Sequence, residues 1–288
     1  MIREHNFSGV FYPKNYADLI AEMEKTYDTL TSSSQNQEFL HMIKEYMKNK
    51  RILSFLIPHA SLKYSGLVSA FAYLLIRQFD CNTFIILSSD HKGTSPGLSV
   101  NNSEYWTTPL GKVKTNQKII SDLVNGIGNG FLVNDQLSFE IDHTIELQLP
   151  FIQFGNISGE FDIVPILQKN QDKFTSKKLA KLLTSVLPKE QKIVLLCTSN
   201  LTHYLNYDEC YNADKLIISE ILKLDVDSFY EILEKYSRLI CGYGCIATAM
   251  EFSKIIGNSD AILLNQSNSG DIDGNKSSVV GYTSIMMV

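Results

Sequence analysis

RILSFLIPHASLKYSGLV, residues 51–68, opens with a run of apolar side chains that lacks polar alternation and then breaks at Pro58 and His59. A strand with one face in water alternates apolar and polar residues, so an unbroken run reads as a strand covered on both faces. Three more runs share this character: TFIILSS (83–89), FDIVPIL (161–167) and KIVLLCTS (192–199). Helical spacing appears between and after them, at 67–77, 116–124, 142–154, 175–187, 212–222 and 226–236. Strands alternating with helices predict an α/β fold, a central sheet flanked by helices.

Outward from that centre the pattern changes. Residues 16–48 place apolar positions at helical spacing around the polar break SSSQNQ (32–37), which predicts two helices joined by a loop. At the other end AILLNQS (261–267) and SSVVGYTSIMMV (277–288) flank the turn-rich SNSGDIDGNK, so antiparallel strands should finish a mixed sheet. No internal repeat, Pro/Gly-rich linker or low-complexity tract marks a boundary, and residues 1–288 read as a single domain.

Composition narrows the function classes. A formal charge of −5 and the lack of any run of five like charges offer no electrostatic footprint for nucleic acid or an anionic membrane. The opening MIREHNFSGVFYPKN has neither the apolar core of a signal peptide nor a transit pattern, and no apolar run reaches membrane-spanning length, so a soluble cytoplasmic protein is expected. The five cysteines are scattered and odd in number, which fits reduced thiols better than a disulfide framework.

Of six histidines, four fall where a strand ends or a helix begins: His59, His91, His143 and His203. Ligands of open α/β sheets bind beyond the carboxyl ends of the strands, where loops are free of ladder bonding and helix N-termini converge. A lone strand-end histidine is more often hydrogen-bonded or solvated than a ligand. Three separate strand ends delivering imidazoles to one rim, at His59, His91 and His203, make metal ligation the sharper reading.

A third donor is needed, and Cys241 in RLICGYGCIATAM precedes an apolar helical segment where a thiolate would be favoured. The competing reading, a small buried cysteine beside turn-forming glycines, stands level with it. Cys245 lies four residues on, but no second thiol pair with zinc-finger spacing exists. In IDHTIELQLPFIQF, Asp142 is the expected N-cap of a helix that sets His143 and Glu146 three apart on one face. For Glu146 the plainer expectation is a hydrogen-bonding pair in the first turn, whereas His143 is free to act as donor or acid/base. DIDG (271–274) lacks the rest of a calcium loop and reads as a turn. No phosphate-cradling glycine loop, nucleophile elbow or dinucleotide fingerprint is present.

Taken in order, these segments resemble the Memo family, also called the AmmeMemoRadiSam system protein B family, whose fold is related to class III extradiol dioxygenases. SGVFYP (8–13) resembles the family's AGxFYP, IPHASLKYSG its PHAGYxYSG, and ILSSDHKG (86–93) its LGPNHTG. IDHTIELQLPF (141–151) resembles DEHSIEMQLPF, CTSNLTHY (197–204) resembles SSDLSHY, and ICGYGCI (240–246) resembles CGxxPI. Six matches in register span nearly the whole chain.

The resemblance implies that His59, His91 and Cys241 coordinate a metal, with His203 in the position of the catalytic histidine of the dioxygenases and His143 lining the pocket. Two imidazoles and a thiolate suit iron or copper, with zinc also possible. The dioxygenases carry a carboxylate where the thiolate stands, so ordinary ring cleavage is not expected. The expected function is a metal-binding redox protein or oxygen-using enzyme, with a radical-SAM system protein as a possible partner. The alternative from a different class is a non-catalytic signalling protein that binds a peptide or small-molecule ligand in the same pocket; a metal-dependent hydrolase has only the open His-rich site behind it. The chain departs from the family pattern at Asn200, where the family has Asp, and at Ser61, where it has Gly. Ser88 and Ser89 replace Gly-Pro, with Asp90 before the histidine. Loss of the Asp charge is expected to act on His203, and loss of the glycine on the backbone path.

Overall fold

A computed structural model of the chain describes residues 1–79, 81–126, 130–155, 160–188, 191–236 and 239–288. Strand β1 (Ile2–Arg3) is followed by α1 (Tyr16–Thr31) and α2 (Ser34–Tyr46), whose N-termini are capped by the side chains of Asn15 and Ser33. The chain continues through β2 (Ile52–Ile57), α3 (Leu62–Ile76) and β3 (Thr83–Ser89). Short strands come next, β4 (Leu98–Val100), β5 (Tyr105–Thr108) and β6 (Gly111–Thr115), then α4 (Gln117–Asn125), β7 (Val133–Asn134) and α5 (Leu137–Ile141). A 3₁₀ turn (Glu146–Gln148) runs into α6 (Leu149–Gly155), and β8 (Asp162–Gln168), α7 (Lys173–Val186), β9 (Ile193–Thr198) and β10 (His203–Leu205) follow. The rest is α8 (Tyr207–Leu222), α9 (Val226–Tyr236), α10 (Tyr243–Ile255), β11 (Ala261–Asn268), α11 (Gly270–Asp273) and β12 (Val279–Met287).

The four strands expected from unbroken apolar runs are neighbours and parallel, in the order β8-β3-β9-β2. Antiparallel β12 pairs with β2 and with β11, which completes the mixed sheet expected from the tail. Alternation within each central strand feeds two separate cores. Leu56, Ile85, Leu87, Val164, Ile166, Ile193 and Leu195 point toward the face packed by α4, α7, α8, α9 and α10. Leu53, Phe55, Ile57, Phe84, Ile86, Val194 and Leu196 point toward the face packed by α1, α2, α3, α5 and α6. Both faces being covered explains why the runs lack polar positions.

Pro165 sits inside β8, where a missing N–H would break a ladder. The strand changes partner there, from β6 at Asp162 and Ile163 to β4 at Ile166 to Gln168, so no N–H is needed at the junction.

Three expectations are corrected. The helix over 142–154 begins late: Asp142 is extended (φ −104°, ψ 132°), and only residues 146–155 are helical. Its carboxylate accepts from Thr144 N–H at 2.9 Å and from His91 N–H at 3.2 Å, which holds a loop in place of capping a helix. Helices α3 and α8 start five residues earlier than their apolar spacing suggested, at Leu62 and Tyr207. The strands between 98 and 115 are three to five residues long, too short for a pattern to single them out.

Ser61 has φ −58°, a region open to any residue, so the absence of glycine there strains nothing.

Candidate metal centre

Strand order builds the site. β9 lies between β3 and β2, and Ile57, Thr198 and Ser88 stand level across the three strands. Beyond that row the chain leaves each strand within three residues of a candidate: His59 after β2, Asn200 after β9 and His91 after β3. Adjacent strands are about 4.8 Å apart, so imidazoles from the two outer strands meet over the end of the middle one. Cys241 arrives from the other side, just ahead of α10, on a turn packed against β9. At Gly242 an added Cβ would lie 2.8 Å from the Ser199 side chain, so the residue after Cys241 must be glycine for this approach.

The ligand atoms of His59, His91 and Cys241 all lie within 4.8 Å of one another. Cys241 Sγ is 3.2 Å from His59 Nε2 and accepts the Asn200 N–H at 3.3 Å. The His59 and His91 rings meet edge to face with centroids 4.8 Å apart. His59 is buried, and burial together with the neighbouring imidazoles holds its pKa well below the ordinary range. For His91 burial opposes protonation, but hydrogen bonds from the ring to Asp142 and Cys241 outweigh it and push the pKa up to about 10. Burial likewise works against the Asp142 charge, and the bonds from His91 and Thr144 outweigh it, keeping that carboxyl below its usual value. Asp142, expected only as a helix cap, is thus the carboxylate behind a candidate ligand.

His143 borders the same cluster, its centroid 5.4 Å from that of His91 and 5.9 Å from that of His59. It stacks on Phe11 at 4.4 Å with Phe7 at its edge, and burial lowers its pKa to about 4. Both phenylalanines belong to the N-terminal segment that Glu146 fastens down. The Glu146 carboxylate takes the Arg3 guanidinium, the N–H groups of Asn6 and Phe7 at 3.1 and 2.9 Å, and the Tyr12 hydroxyl at 2.6 Å. Glu146 is therefore a structural hydrogen-bonding residue, as expected, but its partners are these and not His143. Arg3, fully buried, also donates to Phe139 O and Asp142 O and lies 4.5 Å from the Trp106 ring. A single arginine in the opening residues carries no pattern that would betray this role.

His203 is in β10, paired with β12 across a bulge at Tyr204. Its Nδ1 faces the carbonyls of Leu201 at 2.8 Å and Leu239 at 2.7 Å, so the proton is on Nδ1 and Nε2 is left as an acceptor. Burial lowers its pKa. Tyr204 has φ +67° and is 78% exposed, an aromatic held in a costly conformation beside that imidazole. Asn200 does not act on His203 as expected: its Oδ1 accepts the His59 N–H at 3.1 Å. The carboxylate beneath the His203 loop is Asp214, which accepts from the N–H and hydroxyl of Thr202 at 3.1 and 2.8 Å.

Metal–nitrogen and metal–sulfur bonds of about 2.0 to 2.3 Å put neighbouring donors about 3 to 4 Å apart. The Cys241 Sγ–His59 Nε2 pair is already at 3.2 Å, and donors as far apart as 4.8 Å would close by about 1 Å around a cation. The donor set, two imidazoles and one thiol with backing hydrogen bonds, fits a transition metal. Fold and site together define an α/β protein with a His-His-Cys cluster at the carboxyl edge of its sheet.

Comparison with known proteins names the family. Residues 3–286 match the family described as Memo-like protein. A MEMO1 family protein of Thermoplasma volcanium is 33% identical over 99% of this chain and 98% of its own length. Relatives from Methanosarcina mazei and Archaeoglobus fulgidus, also MEMO1 family proteins, are 31% and 32% identical over 99% of both chains. The chain belongs to the Memo-like family. Among solved structures, an uncharacterized protein from Escherichia coli K12 shares the fold with a TM-score of 0.53 at 10% identity, covering 83% of this chain and all of that one.

Proposed function

We propose that the protein is a metal-binding redox protein or non-haem oxygen-using enzyme in which His59, His91 and Cys241 hold iron or copper, with zinc a further possibility. The observation that carries this is the convergence of their three ligand atoms within 4.8 Å from separate chain segments. A metal there would supply Lewis acidity or electron transfer and would leave coordination positions open to a small ligand.

The residues around it have separable tasks in this reading. Asp142 orients the His91 ring and makes it a stronger donor. His203 offers Nε2 as a proton acceptor because two carbonyls occupy the other side of the ring. His143, with a pKa near 4, is neutral at pH 7 and forms an uncharged wall with Phe11, suited to hydrogen bonding more than to base catalysis. The ligand is a small molecule or a peptide, and a radical-SAM system protein as partner rests on the family resemblance alone. Cytoplasmic location is part of the same proposal; among the described residues no helix is long and apolar enough to cross a membrane.

The test is metal analysis of protein purified without a histidine tag, in air and under anaerobic conditions. Near-stoichiometric iron or copper is expected, falling at least tenfold in His59→Ala, His91→Ala and Cys241→Ser. Protein that takes up none of the three metals, or variants that retain them, would rule the reading out.

A further inference from the structure

Cys241 opens the turn Cys241-Gly242-Tyr243-Gly244 that leads into α10. Gly242, the N-cap residue of that helix, has no side chain to offer the first free N–H groups. Side chains from two other segments take its place. Ser199, just after β9, accepts the Gly242 N–H on Oγ at 3.0 Å. Gln171, in the loop between β8 and α7, bridges the turn: its Oε1 accepts the Gly244 N–H at 2.9 Å and its Nε2 donates to the Cys241 carbonyl at 3.0 Å. A peptide N–H only donates and a carbonyl only accepts, so the amide has one orientation.

We infer that Gln171 is the positioning residue for the Cys241 thiol, a helix cap supplied by a segment 70 positions away. The inference rests on the metal reading proposed above. Each glycine of the turn admits one of the two partners. A Cβ at Gly244 would lie 2.6 Å from Gln171 Cα and 2.7 Å from its Cβ, as one at Gly242 would meet Ser199. Gly242 stands at the glycine of the family's CGxxPI, whereas Gly244 stands at a position that pattern leaves open. The fit to Gln171 therefore uses a residue the pattern does not prescribe.

Gln171 is itself anchored. The Tyr230 hydroxyl, on α9, donates to its carbonyl at 2.6 Å. Ser176, on α7, donates to the Gly244 carbonyl at 3.0 Å and accepts from Gln168 Nε2 at 3.0 Å. Three elements thus bear on the turn that presents the thiol. Cys241 Sγ accepts the Asn200 N–H at 3.3 Å and lies 3.2 Å from His59 Nε2 only while the turn stays against β9. Two glycines give that backbone wide conformational freedom, so losing the amide bridge lets the turn carry the sulfur away from the imidazoles.

Full-length wild type, Gln171→Ala and Gln171→Glu are compared in three measurements: Zn²⁺ affinity, the sulfur-to-metal charge-transfer absorption of Co²⁺-loaded protein, and the rate at which iodoacetamide alkylates Cys241 without metal. Alanine keeps the Cα that packs on Gly244 and removes only the bridge. Cys241 is the one cysteine of the five that is not buried, so mass spectrometry reads its label directly. Gln171→Ala should weaken Zn²⁺ binding by about 10-fold or more, diminish the charge-transfer band and speed alkylation by about 5-fold. Gln171→Glu keeps an acceptor for Gly244 but sets a carboxylate oxygen against the Cys241 carbonyl, and should behave like Gln171→Ala; wild-type values in it would overturn the inference. So would Gln171→Ala with unchanged Zn²⁺ affinity, absorption and alkylation. Should both variants fold poorly, Tyr230→Phe, which frees only the Gln171 carbonyl, is expected to give smaller changes in the same direction, and no change there would count against the inference. Wild-type protein that takes up neither Zn²⁺ nor Co²⁺ would count against the metal reading instead, and the alkylation rates would then decide the role of Gln171 by themselves.

Discussion

Arg3 and Glu146 form a fully buried ion pair that ties the first strand to the loop carrying Asp142 and His143. Removing one member leaves an uncompensated charge in a low-dielectric setting, which typically costs about 3 to 5 kcal/mol. Arg3→Met is therefore expected to lower the urea midpoint by that equivalent, and a change below about 1 kcal/mol would show the pair to be dispensable. Asp214 gives a pH signature. Burial raises its pKa from an ordinary 3.8 to about 6 against the opposing bonds from Thr202 and Cys210. Between those values the folded chain binds more protons than the unfolded one, so this group's contribution is complete below pH 3.8 and is lost as pH rises through 6. The difference amounts to about 3 kcal/mol. Asp214→Asn should flatten that part of the stability profile relative to wild type, and parallel curves from pH 4 to 7 would contradict the assignment.

At the scale of elements, α8 meets β12 through a single missing side chain. A Cβ at Gly281 would come within 1.8 Å of Asp214 Oδ2, and that carboxylate is itself fixed by Thr202. Gly281→Ala should destabilise by more than about 3 kcal/mol, read as a loss of soluble protein or a large drop in unfolding temperature. The central strands were readable because burial on both faces writes an unbroken apolar run. The helix expected over 142–154 starts later because its cap candidate, Asp142, is used by a partner 51 residues away, His91. No local pattern records such a contact. For the same reason sequence proximity pairs Asn200 with His203, whereas its side chain serves His59 across the sheet.

For the whole molecule, the three candidate ligands tie together the ends of β2 and β3 and the turn before α10, so a bound metal should act as a clasp on the folded state. A ligand at 100 times its dissociation constant stabilises by about 2.7 kcal/mol, which for a chain of this size corresponds to about 5 °C or more in unfolding temperature. Zn²⁺ or Fe²⁺ is expected to produce that rise, a chelator to reverse it, and Cys241→Ser to abolish it; an equal rise in the variant would place the metal elsewhere.

From its sequence alone the chain specified an α/β layered fold, the four buried strands, the antiparallel finish and the set His59, His91, His143, His203 and Cys241 as residues of interest. These are local signals: periodicity, breaks at strand ends and short motifs. Tertiary structure alone decided that β9 lies between β2 and β3, which is why imidazoles separated by 32 positions meet, and which groups stand behind them. Asp142, Gln171 and Arg3 act through contacts made only when distant segments pack, and the free energy of those contacts depends on a burial that no stretch of sequence possesses by itself.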